Sequence, residues 1–244
     1  MAIYRANELL RVEVRPQGRA GVWFLNWGIK AKPKASRPVT DPQAFGGAGL
    51  YGLCFDRQLI YVGSYLGNDK HGANLGGDVL AHRWWTHIGA ITARGNRVNI
   101  ARDSLRALHQ AVPADHRLLQ GLTQAQDIDL LHRGAGNLCP LRRLLFAARH
   151  VDAFLDPDVD PDALLSRFEF IYHRSQAVPA EVPSDRWAHA ITVSEQALIQ
   201  AWAPVCNTTH VPMGANAAQL TLAQADAGLR EAMTDAMRRL KRGD

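Results

Sequence analysis

The chain has 244 residues, of which 47% are hydrophobic and 21% charged, and it carries a formal net charge of +5. This composition is typical of a folded protein and excludes a largely disordered chain. The sequence contains no apolar run of about 18 residues and no apolar signal core after Met1, so we expect a cytoplasmic protein without a membrane contact.

Short apolar runs and helical periodicities predict an α+β fold, in which a small, mostly antiparallel sheet of three strands is flanked by helices. The predicted elements, in chain order, are strands at 11–15 and 22–27, a loop at 30–48, a β-hairpin of strands 49–55 and 59–63 around a three-residue turn, a Gly/Asn-rich loop at 67–77, a helix at 78–89, a helical segment at 99–155, a third strand at 168–173, and helices at 184–202 and 221–241.

The cysteines and the basic residues give weaker signals. The three cysteines lie far apart, without zinc or disulfide spacing, so Cys54, Cys139 and Cys206 are expected to be buried apolar residues. Basic side chains occur in stretches that suit phosphate contacts, with a solvated surface as the alternative. These stretches are Lys30, Lys32, Lys34 and Arg37; Arg94, Arg97, Arg102 and Arg106; and Arg238, Arg239, Lys241 and Arg242.

The hairpin is predicted to bring two tyrosines together. Alternate residues of a strand share a face, and the three-residue turn pairs Leu53 with Tyr61. Tyr51 then lies diagonal to Tyr61 on the same face and within reach of it. Either the two rings simply pack across the strands, or the two phenols form part of a site.

The helix at 78–89 carries a cation and an imidazole on a mostly apolar stripe that includes Leu80 and Trp84. Arg83 and His87 are four residues apart, so their side chains are neighbours. Such groups are costly to bury without partners, unless the arginine extends to solvent and the histidine is satisfied within the core.

The helix at 184–202 carries a carboxylate on its inward stripe. Glu195 follows Ile191 by four positions and precedes Leu198 by three, so it points with the apolar residues. A buried carboxylate requires compensation. An ion pair with Arg83 would provide it, and so would a hard cation.

Together these features resemble the GIY-YIG nuclease family. The matching residues are Gly49-Leu50-Tyr51 and Tyr61-Val62-Gly63 for its two tripeptides, Arg83 and His87 for the Arg-x-x-x-His helix motif of the restriction-endonuclease branch, and Glu195-Gln196-Ala197-Leu198-Ile199 with Pro204 and Asn207 for its Glu-x-x-Leu-Ile…Pro…Asn pattern. Leu50 and Val62 replace the usual Ile, and a helical segment at about 95–165 is inserted before the third strand.

The resemblance implies hydrolysis of phosphodiester bonds in double-stranded DNA with one Mg²⁺, for which Mn²⁺ would substitute. It implies that Glu195 holds the metal and that Arg83 neutralises the phosphate. Tyr51 would orient or deprotonate the attacking water, with His87 as the rival base. Tyr61 and His87 would hydrogen-bond the phosphate or the water, and Asn207 would brace the local structure.

The resemblance also implies the domain organisation. Residues 49–210 would form the catalytic domain with its insertion at about 95–165, residues 1–48 an N-terminal extension that acts as a DNA-contacting arm, and residues 211–244 a C-terminal helix. The insertion is interpreted as an accessory DNA-binding or dimerisation element.

The most specific expectation is a sequence-specific type II restriction endonuclease. A palindromic target would call for a homodimer or for two sequential nicks, and a restriction role predicts a cognate DNA methyltransferase. The alternatives are a nuclease of the same type in DNA repair or in a mobile element, and a non-catalytic DNA-binding protein with the same fold. A small-molecule enzyme that cradles phosphate at residues 46–49 is disfavoured, because these glycines precede a strand rather than a helix.

Overall fold

The computed structural model describes residues 3–41, 43–67, 77–133, 138–175 and 183–242, and these residues form a mixed α+β fold, as the sequence predicted. The strands are β1 (Ile3–Arg5), β2 (Leu10–Val14), β3 (Trp27–Ala31), β4 (Ala48–Phe55), β5 (Gln58–Leu66), β6 (Asn99–Ile100), β7 (Leu138–Cys139) and β8 (Phe168–Arg174). The α-helices are α1 (Ala6–Leu9), α2 (Trp85–Thr92), α3 (Arg102–Ala111), α4 (Arg117–Thr123), α5 (Ile128–Arg133), α6 (Leu141–Arg149), α7 (Val151–Phe154), α8 (Pro161–Ser166), α9 (Ser184–Trp202) and α10 (Leu222–Arg242).

The chain divides into two compact units. The first comprises residues 1–9, 33–80 and 166–244, and the second comprises residues 10–32 and 81–165. The predicted domain boundaries at 48 and 210 do not coincide with these limits. The hairpin, the third strand and the two long helices α9 and α10 all belong to the first unit.

The first unit contains an antiparallel sheet of four strands in the order β1-β8-β4-β5, so the predicted number of three was too low. The additional strand is β1, in which Ile3 lies opposite Ile171 of β8. With only three residues, β1 is too short to show the alternation by which strands are recognised in a sequence. Strand β5 lies at the edge of the sheet.

The β4–β5 hairpin has the predicted pairing of Leu53 with Tyr61 but not the predicted turn. The turn contains two residues, Asp56 and Arg57, with φ values of 47° and 63°, the left-handed region that the tight hairpin turn requires. Arg167 holds this turn in place through two hydrogen bonds to the Asp56 carboxylate, of 2.8 and 2.6 Å. A bulge then shifts the register, because Cys54 lies opposite Leu59 whereas Leu53 lies opposite Tyr61.

The apolar core of the first unit lies between the sheet and the helices α9 and α10. Leu50 and Val62 are fully buried in it together with Ile191 of α9 and Leu229 of α10. Val62 and Leu50 alternate with Tyr61 and Tyr51 along their strands, so the two helices cover the face that the tyrosines do not use.

The second unit combines a β2–β3 hairpin, a parallel β6–β7 pair and the helices α2 to α8. The prediction of a strand at 22–27 was wrong, because residues 20–26 form turns and the partner of β2 begins only at Trp27. Phe24 and Leu25 are nevertheless buried, so this apolar run fills a core from a turn. The segment predicted as helical at 99–155 contains the short helices α3 to α7, but it also contains the strands β6 and β7, which were not predicted. Residues 134–137 lie outside the described part.

Two further expectations concern burial and loops. All three cysteines are buried free thiols, as predicted. Within the described residues, no helix is long and apolar enough to cross a membrane. Residues 68–76 of the predicted Gly/Asn-rich loop lie outside the part of the chain that is described.

Candidate active site on the central hairpin

The two tyrosines lie together, as the hairpin pattern predicted. Their ring centroids are 6.1 Å apart and the rings are tilted by 30°. Their exposure differs, because Tyr51 is 2% exposed whereas Tyr61 is partly exposed. Of the two phenols, Tyr61 is therefore the more accessible to a ligand.

Gly63 provides the space that the Tyr51 ring occupies. The two residues are opposite each other across β4 and β5. A Cβ atom at position 63 would lie 2.4 Å from Cζ and 2.5 Å from the hydroxyl oxygen of Tyr51, well inside van der Waals contact. The position of the Tyr51 ring therefore requires a glycine as the last residue of the Tyr-Val-Gly element.

Asn207 is bound to the same strand. Its Nδ2 donates to the carbonyl oxygen of Val62 at 2.8 Å, and its Oδ1 accepts from the Val62 amide at 2.9 Å. The preceding residue continues this pattern, since the Cys206 amide donates to the Ile60 carbonyl at 2.9 Å. Asn207 is 3% exposed, so both hydrogen bonds are shielded from water.

Glu195 reaches β5 through a hydroxyl that the sequence analysis did not single out. The Ser64 Oγ donates to the Glu195 Oε2 at 2.5 Å, and both side chains are partly buried. Ser64 directly follows the Tyr-Val-Gly element, and strand alternation would have placed it on the helix-covered face beside Val62. Glu195 therefore approaches β5 from the face opposite to the tyrosine rings.

The candidate residues of the first unit thus all belong to, or contact, residues 61–64 of β5. Tyr61 is one of them, Val62 binds Asn207, Gly63 seats Tyr51, and Ser64 binds Glu195. Residues 61–64 of this edge strand therefore contact the tyrosine pair on one face of the sheet and the Glu195 carboxylate on the other.

Arg83 and His87 belong to the second unit. Arg83 lies in a single π-helical turn, Leu80–Trp84, which leads directly into α2. Such wide turns interrupt α-helices frequently at functional sites. Arg83 is exposed whereas Trp84 and His87 are buried, so the prediction that Arg83 shares the buried stripe was wrong. The prediction assumed α-helical spacing, which the wider π turn does not follow.

The environment of His87 fixes its charge. Burial, together with the guanidinium groups of Arg143 and Arg83, holds the pKa of His87 well below its ordinary value. His87 is therefore a neutral imidazole near neutral pH and a weak base there.

Among the cations predicted to contact phosphate, Arg94 has a different role. It is 2% exposed, and its guanidinium donates to the carbonyl oxygens of Phe154 and Asp156, each at 3.1 Å. The guanidinium also lies 4.4 Å from the ring centroid of Trp27, and burial lowers the pKa of Arg94 to about 10. Arg94 therefore holds the core of the second unit together and is not available to DNA.

The part of the chain that the structure describes offers oxygen ligands but no multi-residue metal cluster. Within the described ranges, no group of three or more His, Cys, Asp or Glu side chains is arranged to hold a metal ion. The carboxylate of Glu195 is a hard oxygen donor, of the kind that Mg²⁺ uses when most of its remaining ligands are water and substrate phosphate. A single carboxylate of this type fits such an ion.

Comparisons with known proteins give no family assignment. No protein-family model matches the chain, and neither a curated protein nor a solved structure gives a significant match.

Proposed function

We propose that this chain is a metal-dependent DNA endonuclease with a GIY-YIG-like site, acting as a sequence-specific restriction enzyme. The observation that carries the proposal is the convergence on residues 61–64 of β5. Tyr51, Tyr61, Asn207 and Glu195 come from three separate segments of the chain, yet each belongs to or contacts this one segment. The order of hairpin, arginine helix, third strand and glutamate helix along the chain also supports it.

The reaction is the hydrolysis of a phosphodiester bond. Water attacks phosphorus and releases a proton to bulk water, a new P–O bond forms, and the bond from phosphorus to the 3′-oxygen breaks as that oxygen takes up a proton from bulk water. The site must therefore bind the phosphate, orient the water and neutralise the charge that develops on the phosphate oxygens. Each of these tasks has a candidate among the residues described above.

The two phenols are assigned different roles because their exposure to solvent differs. Tyr61 is partly exposed, so its hydroxyl is the one that contacts the scissile phosphate or the attacking water. Tyr51 is almost fully buried beneath it and fixes the position of Tyr61 through the ring contact. This assignment modifies the expectation that Tyr51 itself handles the water.

Arg83 and His87 contribute in different protonation states. Arg83 is an exposed, permanently charged guanidinium, which suits charge neutralisation on a phosphate. The lowered pKa of His87 makes its imidazole a weak proton acceptor, so we assign it hydrogen bonding to the phosphate or the water rather than general-base catalysis.

Glu195 is the residue that would hold the metal. Its partly buried carboxylate is fixed on one side by the Ser64 hydroxyl, which limits the orientations it adopts. Because Glu195 lies on the opposite face of β5 from Tyr61, Mg²⁺ bound there would supply positive charge to the phosphate and to the leaving oxygen from the other side of the strand. Mn²⁺ would substitute, since both ions prefer oxygen ligands.

The test is cleavage of plasmid and phage DNA by the full chain with Mg²⁺ and then Mn²⁺, comparing wild type with Glu195→Gln. The amide keeps an oxygen that accepts from Ser64 but removes the charge that binds the metal. Glu231→Gln is the matched control, because Glu231 is an exposed glutamate on α10.

Discrete fragments from wild type and from the control, lost in Glu195→Gln while DNA binding persists, would support the proposal. Nicking or smearing that depends on Glu195 would retain the nuclease and favour repair or a mobile element. Absence of cleavage with any divalent metal, or cleavage indifferent to Glu195, would overturn it and favour a non-catalytic DNA-binding protein.

A further inference from the structure

The second unit has a basic groove that is lined by none of the proposed catalytic residues. Three cations, Arg15, Lys30 and Arg97, line this open groove of about 230 Å³ together with Asn96 and Trp85. We infer that the groove binds the phosphodiester backbone of DNA and is the main non-catalytic contact with the substrate. This inference rests on the proposed function, since it states where the same substrate is held.

The fold brings the three cations together from two segments. Lys30 lies on β3, Arg15 directly follows β2, and the β2–β3 hairpin holds them on neighbouring strands. Arg97 comes from the turn after α2, which is attached to β3 because the Asn96 amide donates to the Trp27 carbonyl at 2.9 Å. All three cations are therefore carried by backbone that is fixed by hydrogen bonds.

The charge of the groove is positive and exposed. Arg15, Lys30 and Arg97 are all exposed, and the acidic group beside them is Glu13, which binds Lys30 at 2.7 Å. One carboxylate against three cations leaves a net positive surface, which attracts a polyanion and exchanges its counterions. The Lys30–Glu13 pair makes the two arginines the stronger candidates for phosphate contacts.

The other exposed arginines of this unit's predicted basic stretch already have acidic partners. Arg102 binds Asp129 at 2.6 Å, and Arg106 binds Asp103 at 3.1 Å. Arg97, in contrast, lies over an aromatic ring, with its guanidinium carbon 6.0 Å from the ring centroid of Trp85. This contact orients the guanidinium without neutralising its charge.

The groove also adjoins the turn that carries Arg83. Ala81 and Trp85 both line the groove. Ala81 belongs to the same π-helical turn as Arg83, and Trp85 is the first residue of α2. Trp85 is partly exposed and presents a flat apolar surface to a deoxyribose or a base.

The experiment measures how DNA binding depends on salt. Fluorescence anisotropy with labelled duplex DNA, without divalent metal, compares wild type with Arg15→Gln/Arg97→Gln over a series of NaCl concentrations. Each lost phosphate contact reduces the slope of log affinity against log salt by about 0.9, so we expect a slope lower by about 1.8 and weaker binding at every concentration.

The matched control is Arg102→Gln/Arg106→Gln, which removes two exposed but ion-paired arginines from the same unit. We expect this control to keep the wild-type slope, and equal urea midpoints would show that both variants fold. An unchanged slope in Arg15→Gln/Arg97→Gln, or an equal loss in the control, would overturn the inference.

The two proposals fail separately. Glu195-dependent cleavage with an unchanged slope in Arg15→Gln/Arg97→Gln would retain the nuclease and reject the groove. The expected loss of slope without any Glu195-dependent cleavage would support the groove and reject the nuclease.

Discussion

Substituting Gly63 with alanine tests directly whether the Tyr51 ring depends on the space that Gly63 leaves. The new Cβ would lie 2.4 Å from Cζ of the Tyr51 ring, whereas ordinary contacts begin at 3.4 Å, so the ring must move by about 1 Å. Tyr51 is 2% exposed and has little space into which to move. Overpacking of this kind costs about 1–3 kcal/mol, and the lower entropy of the unfolded alanine chain returns about 0.4–1 kcal/mol. We expect Gly63→Ala to lower the free energy of unfolding by about 1–2 kcal/mol.

The assay is urea unfolding of four chains: wild type, Gly63→Ala, Tyr51→Ala and the double variant. With the Tyr51 ring removed, the alanine at position 63 meets no ring, and its cost should vanish or become a small gain. The coupling energy of the cycle is therefore expected to be about 1–3 kcal/mol. Where Gly63→Ala remains folded, DNA cleavage should also fall, because the displaced Tyr51 ring no longer positions Tyr61.

Two results would refute this reasoning. One is an equal cost of Gly63→Ala in the presence and absence of Tyr51, since the strain would then come from elsewhere in β5. The other is a neutral effect in the wild-type background, which would mean that the ring moves freely despite its burial.

Three further predictions concern the other contacts. Asn207→Ala removes both hydrogen bonds to the buried Val62 backbone and should lower the free energy of unfolding by about 2–4 kcal/mol in urea. Ser64→Ala releases the Glu195 carboxylate and should raise the Mg²⁺ concentration needed for half-maximal cleavage, whereas Ser64→Thr keeps the hydroxyl and should restore it. His87 takes up its proton in the unfolded chain below its ordinary pKa of 6.5 but not in the folded chain, so the stability that depends on its neutral form is present above pH 6.5 and lost below it. The stability advantage of wild type over His87→Gln should therefore shrink by about 1.4 kcal/mol between about pH 7.5 and about pH 5.5 in urea unfolding.

Each of these has a control and a contrary outcome. Thr208→Ala alters the exposed neighbour of Asn207 and should change stability by less than about 0.5 kcal/mol, and a similar loss in both variants would reject the Asn207 prediction. An unchanged Mg²⁺ requirement in Ser64→Ala would mean that the hydroxyl does not position Glu195. A constant difference between wild type and His87→Gln across this pH range would show that the folded-state pKa of His87 is ordinary.

The sequence predicts best those features that depend on local periodicity. The limits of α9 were predicted to the residue, and β8 and α10 to within one residue, because local composition and spacing mark these elements in the sequence. Within the site, the predicted pairing of Leu53 with Tyr61 is correct although the three-residue turn from which it was derived is not, because a bulge compensates for the shorter turn. The proximity of the two tyrosines then follows from strand alternation.

The features that were missed depend on contacts between distant segments. Strand β1 exists because it pairs with β8, more than 160 residues away along the chain, and its three residues carry no pattern of their own. The exposure of Arg83 depends on the π-helical turn, which no residue type in the sequence predicts. The Ser64–Glu195 hydrogen bond joins residues separated by 131 positions, so it required the packing of α9 on β5 to be known.

The register of the hairpin explains how these contacts depend on one another. A two-residue turn with regular pairing would place Tyr61 opposite Gly52, on the face away from Tyr51, and would set Val62 rather than Gly63 against the Tyr51 ring. The bulge at Ile60 prevents this, because it advances β5 by one residue between Cys54 and Leu53.

The segment at 206–207 binds the bulge residue Ile60 and the backbone of Val62 just beyond it. The Cys206 amide donates to the Ile60 carbonyl, and the Asn207 side chain holds both backbone groups of Val62. The regular register would require this segment to release all three hydrogen bonds or to shift with the strand. Asn207 therefore acts on the tyrosine pair at a distance, by fixing which face of the sheet Tyr61 occupies, and its loss should impair the site even in molecules that remain folded.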